Sequence, residues 1–183
     1  MSKFVKVMYG TTSGAKSDFN YKIGEVNISN NWNLKADNPR DFGGFNYCSE
    51  ESILRWLHRG DTIYDVIIPD DAEVILCDEN KGVYRANKII VSNPRKITDN
   101  LVMDLYKKTT LSNKILADCL VTLIWKDRIE ISKYIINDMI NKNNVDEFYT
   151  EFINYSSKND FENDELKAKY KELEDMLLKI KMY

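Results

Sequence analysis

Few residues in this 183-residue chain have both the type and the spacing for chemistry. The single histidine, His58, closes the segment Ser49–Arg59, two residues before Gly60, where it compensates a helix dipole or packs. A Ser/His/acid triad would have to use this histidine, and no nucleophile-elbow sequence accompanies it. The acidic pairs Asp70-Asp71 and Asp78-Glu79 fall at predicted turns, where solvated carboxylates are common. The stretch Gly10-Thr11-Thr12-Ser13-Gly14 has the composition to cradle a phosphate through backbone N–H groups. It lacks the lysine of a P-loop and the spacing of a dinucleotide fingerprint. Arg85, Lys88, Arg95 and Lys96 read either as a phosphate contact or as a charged strand edge guarded against aggregation. Trp32, in an asparagine-rich loop, reads as packing under that loop or as a stacking surface. Cys48, Cys77 and Cys119 are odd in number and widely spaced, which suits reduced thiols and offers no zinc set.

The elements that position these residues fall into two parts. All seven glycines and all three prolines lie at or before Pro94, so a turn-rich part precedes one without such punctuation. In the first part, Phe4–Tyr9, Tyr21–Ile28, Thr62–Ile68, Glu73–Cys77 and Val83–Ser92 read as strands, with Asn80-Lys81-Gly82 as a hairpin turn. Between them lies a segment with its own start and stop. Ser49 is a candidate N-cap, Glu50 and Glu51 suit the positive end of a helix, and Ile53, Leu54, Trp56 and Leu57 give an apolar face. Gly60 is placed to end it in the left-handed conformation.

The second part reads as helices. Thr98 and Ser112 are candidate caps, and Asn144 with Glu147 has the pattern of a capping box. In the last helix, 161–182, Leu166, Tyr170, Leu173, Leu177 and Ile180 recur at spacings of 4, 3, 4 and 3. That narrow stripe suits packing on the body or on a partner helix. The expectation is an α+β protein: a small split antiparallel sheet with an inserted helix over residues 1–97, then an all-helical bundle over 98–183.

The charge balance narrows the partners. Net charge is −3, and the negative excess lies after Thr98, with 13 basic and 16 acidic residues against 13 and 13 before it. With no basic footprint, nucleic acid is disfavoured as a partner. The stretch Met1–Val7 lacks the long apolar core expected of a secretory signal, and no apolar run is long enough to cross a bilayer, so the expected location is cytoplasmic, away from membranes.

Three segments together resemble the ADP-ribosyltransferase-like superfamily. Val5-Lys6-Val7-Met8-Tyr9-Gly10-Thr11 is similar to its first strand, which ends in His-Gly or Tyr-Gly. Gly44-Phe45-Asn46-Tyr47-Cys48-Ser49 is similar to its Gly-Phe-aromatic-x-Ser/Thr strand, and Thr62–Ser92 could complete a split sheet. The chain also resembles uncharacterised proteins of phages and large DNA viruses. The resemblance covers about the first 95 residues, and it implies NAD bound between the two β-segments. Tyr9, Gly10 and Thr11 would line the cofactor site, Tyr47 would stack on the nicotinamide, and Ser49 would hold its ribose. A carboxylate would stabilise the oxocarbenium-like ribose as nicotinamide leaves. Where that acid is expected, the chain reads Arg85-Ala86-Asn87-Lys88, so Glu73 or Glu79 must substitute, and Glu73 is the one assigned. The function implied is ADP-ribosyl transfer to a host macromolecule. The alternative is a non-enzymatic inhibitor of a host defence complex such as a CRISPR effector. It would bind its protein partner through the acidic helical half, with Leu166, Leu173, Leu177 and Ile180 in contact.

Overall fold

In the computed structural model, which describes residues 3–14, 16–38, 41–157 and 163–182, the chain divides into two compact units, Met1–Thr110 and Leu111–Tyr183. The first unit is built on a seven-stranded antiparallel sheet in the order β4-β9-β6-β1-β5-β8-β7. Its strands are β1 (Phe4–Met8), β4 (Val26–Ile28), β5 (Phe45–Ser49), β6 (Thr62–Ile67), β7 (Val74–Asp78), β8 (Val83–Ala86) and β9 (Lys88–Lys96). A small hairpin, β2 (Thr12–Ser13) with β3 (Lys16–Asn20), stands apart from it. The α+β class, the split sheet and the inserted helix all follow the sequence expectation. The expected Tyr21–Ile28 strand shortens to β4, and Val83–Ser92 resolves into two strands meeting at Asn87.

That corner explains the split. β8 pairs with β5 and β7, whereas β9 pairs with β6 and β4, so one nearly continuous segment serves both sides of the sheet. Between the two sides, β1 pairs with β6 along its whole length but with β5 only at Phe4–Ser49 and Val5–Cys48. Beyond Val5 the β1–β5 ladder stops.

Strand alternation sends Phe4, Lys6 and Met8 to one face of β1 and Val5 and Val7 to the other. Met8, Tyr21, Phe45, Tyr47, Tyr64, Val66, Ala86, Ile89 and Val91 form the core on the first face. The opposite face carries the inserted helix Glu50–Arg59, which is a 3-10 helix throughout. Its Glu51 carbonyl oxygen accepts from the Thr109 hydroxyl (2.8 Å) and the Thr110 N–H (3.3 Å). The expected caps are absent. The Ser49 hydroxyl donates to Ser52 Oγ at 3.0 Å, and Gly60 is extended at φ −178°. What demands glycine there is proximity, since a Cβ would lie 2.3 Å from the Met8 carbonyl oxygen. α1 (Asp99–Tyr106) completes this unit, capped by Thr98, whose side chain accepts from Leu101 N–H.

The second unit packs α2 (Asn113–Ile124), α3 (Ile129–Met139), α4 (Val145–Ser156) and α5 (Asp164–Met182) around Leu120, Ile135, Phe148 and Phe152. Residues 161 and 162 of the expected last helix lie outside the described residues. Neither Ser112 nor Asn144 caps through its side chain. Asn144 Oδ1 instead accepts from Asn141 N–H (2.8 Å), and Glu147 accepts from the Asn113 amide (3.3 Å), so no capping box forms. No helix among the described residues is long and apolar enough to cross a membrane.

Candidate functional site

The split opens into a cavity of about 260 Å³. On the sheet side, alternate residues of three strands line it: Val5 and Val7 of β1, Asn46 and Cys48 of β5, Val83 and Arg85 of β8. Asn46 is registered opposite Arg85, and Cys48 opposite Val83. On the helix side, Ile53, Trp56 and Arg59 face it. A 3-10 helix has three residues per turn, so side chains three apart stack in one column. An α-helix would have turned Trp56 and Arg59 progressively off that line. Ser13 of β2 closes one side, and Lys6 and Tyr47 complete the lining.

The polar groups here are cationic or neutral, and no carboxylate is among the lining residues. The Arg85 guanidinium is oriented by its Nε, which donates to Asn46 Oδ1 at 2.7 Å. Lys6 is buried. Its ammonium donates to the Asn46 carbonyl oxygen at 2.6 Å and lies 5.2 Å from the Tyr21 ring centre. The Trp56 indole N–H is buried and donates to no described residue. Burial pushes the Cys48 thiol far above its ordinary pKa, an effect the Lys6 charge only partly offsets. Cys48 is therefore a neutral thiol that lines the cavity without nucleophilic character.

The residues suggested by sequence are dispersed. Tyr9 and Thr12 exchange backbone hydrogen bonds at 2.9 Å each way, so Gly10-Thr11 is a tight turn and not a phosphate cradle. Gly10 sits at φ +52°, its carbonyl oxygen accepting from the Tyr64 hydroxyl at 2.9 Å. Tyr9 is exposed, and its hydroxyl donates to the His58 carbonyl oxygen at 3.4 Å. Ser49 pairs with Phe4 at the opposite end of β1 from this turn, with the whole strand between them, about 13 Å at ~3.3 Å per residue. The Tyr47 ring is 4% exposed, stacked on Tyr84 at 5.5 Å and edge-on to Phe4 at 5.2 Å. Burial, and secondarily the neighbouring Tyr84 hydroxyl, raise its pKa, so Tyr47 serves as a neutral packing group.

Glu73 lies beside Asn87. Its N–H donates to Asn87 Oδ1 at 2.9 Å, and its carboxylate accepts from Asn87 Nδ2 at 3.4 Å. The same carboxylate accepts from the Trp32 indole N–H, so it holds the asparagine-rich loop in place, and Glu73 does not line the cavity. Asp71 is bound by Lys88 (2.5 Å) and Asp78 by Lys81 (2.6 Å). Among the described residues no group of three or more potential metal ligands forms.

The helical stripe needs correction as a contact surface. Tyr170, Leu173 and Leu177 are buried in the core of their own unit, and Leu166 and Ile180 are half-buried at its margins. The apolar face is spent on α2, α3 and α4. The acids around it are largely paired, as in Lys133 with Glu130 and Glu172, and Lys169 with Asp127 and Glu165.

Sequence reasoning missed most of the cavity lining. The signal was present in Val5/Val7, Asn46/Cys48 and Val83/Arg85 as period-two pairs, and in Ile53/Trp56/Arg59 as a period-three column. No family model matches the chain, and no curated protein or solved structure is significantly similar to it.

Proposed function

We propose that this is a binding protein on an ADP-ribosyltransferase-like scaffold, holding NAD at the split of its sheet without transferring ADP-ribose. One observation carries the reading: the cavity is lined by Lys6, Arg59 and Arg85 and by no carboxylate, while Glu73 is engaged by Trp32 and Asn87 outside the lining. Cations attract the pyrophosphate of a dinucleotide. Cleavage of the glycosidic bond requires negative charge next to the ribose that becomes cationic, and none is arranged there. An inhibitor of a host defence complex would have to use the charged outer surface of the helical unit, because Leu173 and Leu177 are enclosed.

The test is a calorimetric titration with NAD, with nicotinamide release followed in the same sample. The expected outcome is saturable heat without release. Release at a catalytic rate would establish a transferase, and absence of heat at millimolar NAD would remove the nucleotide from consideration.

A further inference from the structure

The sheet ends at β7, whose outer side is an open edge. Along a strand, the backbone N–H and C=O of successive residues point to opposite sides. The Asn87 N–H donates to the Glu73 carbonyl oxygen at 3.1 Å, so Glu73 turns its carbonyl inward. The Ser49 N–H donates to the Gly82 carbonyl oxygen at 3.3 Å, so Ser49, Tyr47 and Phe45 of β5 face β8. Their partners Tyr84 and Ala86 therefore face β5, and Arg85 faces Ile75. Both routes leave the N–H and C=O of Val74 and Leu76 pointing away from the sheet. The side chains of these two residues are each 45% exposed, on the face that carries Ala86, Tyr84 and Tyr47.

Such an edge takes an extended chain, which supplies donors and acceptors at the same alternate spacing. Val74–Cys77 contains no charge and no proline to repel one. The other edge is guarded: β4 is three residues long and bordered by the exposed Lys22–Glu25 pair. A chain with matching apolar residues and matching outward groups is β7 itself, and antiparallel pairing about a two-fold axis closes at two copies. One axis position fits. At Ile75 it sets Val74 opposite Leu76 of the second copy and Glu73 opposite Cys77, so every outward donor and acceptor of Val74 and Leu76 is met. At Leu76 it would set Glu73 against Glu79, and Val74 against Asp78 beyond the bulge. At Val74 it would set Leu76 opposite Ala72, whose N–H is already given to the Pro69 carbonyl oxygen at 2.9 Å.

We propose that β7 pairs with β7 of a second copy of this chain, antiparallel about a two-fold axis at Ile75, through the outward backbone groups of Val74 and Leu76. The pair merges two seven-stranded sheets into one. Val74 and Leu76 of both copies form one apolar cluster, and the two Ile75 side chains lie side by side on the other face. The pairing is independent of what the split of the sheet binds.

The experiment is sedimentation velocity of the full chain across a range of concentration, with amide hydrogen exchange on the same samples. A monomer–dimer equilibrium is expected. Protection of the Val74 and Leu76 amides should rise with the dimer, while that of Ile75, bonded to β8, stays constant. Val74→Lys with Leu76→Lys sets lysine against lysine across the pair and should weaken association about tenfold or more. Val74→Lys with Leu76→Glu sets lysine against glutamate at both positions and should restore it, now with salt dependence. Val26→Lys with Ile28→Lys, on the opposite edge, should change nothing. All three variants alter exposed side chains, and an unchanged circular dichroism spectrum checks each fold. Should the double-lysine β7 variant fail to fold, salt-dependent dimers of the lysine–glutamate variant still decide the matter. A monomer at every concentration, assemblies that grow past two copies, full association of the folded double-lysine β7 variant, dissociation of the lysine–glutamate variant, or loss of the dimer on changing β4 would each overturn the proposal.

Discussion

The Lys6 ammonium lies 2.6 Å from the Asn46 carbonyl oxygen, so a side chain of β1 satisfies β5 where the backbone ladder between them has stopped. The split is thus stabilised by a hydrogen bond that any hydrophobic substitute would remove. Lys6→Met keeps most of the apolar stem but orphans the carbonyl. It should destabilise the sheet unit by about 1–3 kcal/mol, read as a lower midpoint in urea denaturation.

Gly60→Ala tests whether glycine is required by proximity and not by a left-handed turn. The added methyl would overlap the Met8 carbonyl oxygen, which accepts from Asp61 N–H at 3.0 Å. The expected loss is about 1–3 kcal/mol, typical of overpacking. An unchanged midpoint would mean that the helix end relaxes freely away from β1.

Acid should weaken the first unit through Asp65. Burial pushes its carboxyl up, but hydrogen bonds from Asn93 and Lys3 and the charges of Lys3 and Arg95 outweigh this and hold it below the usual range. Its folded pKa is therefore depressed. The stabilisation is present above the unfolded value of about 3.9 and is lost as pH falls through the folded one. Asp65→Asn should lower the urea midpoint near neutral pH and flatten its decline below about pH 4. A parallel decline in both proteins would assign the acid sensitivity elsewhere.

Leu173→Asp places a charge in the core of the helical unit and should cost it about 3–5 kcal/mol, seen as lost helical ellipticity and faster proteolysis within Leu111–Tyr183. Were the variant fully helical, the stripe would be a surface after all.

Much of the architecture was legible because side-chain period and turn chemistry act locally. Asn80-Lys81-Gly82 forms the β7–β8 turn, with Gly82 at φ +55° and its N–H on the Glu79 carbonyl oxygen at 3.1 Å. Thr98 caps α1 as its hydroxyl suggests. The site was less legible because tertiary contacts shaped it. The Ser49–Arg59 segment reads as an α-helix, yet it winds as a 3-10 helix, and that change of period selects Trp56 and Arg59 for the cavity. Tyr47 has the motif context of a ligand-facing ring and does border the cavity, but its parity along β5 stacks its ring on Tyr84 in the core.

Asn87 alone separates β8 from β9, and those strands serve opposite sides of the split. The two sides are therefore joined through one corner. Asn87 at that corner is held by Glu73, whose carboxylate also takes the Trp32 indole N–H, so the division of the sheet and the asparagine-rich loop share one carboxylate. The half-buried Trp32 is in this way tied to the point where the sheet divides, far along the chain from both strands that meet there.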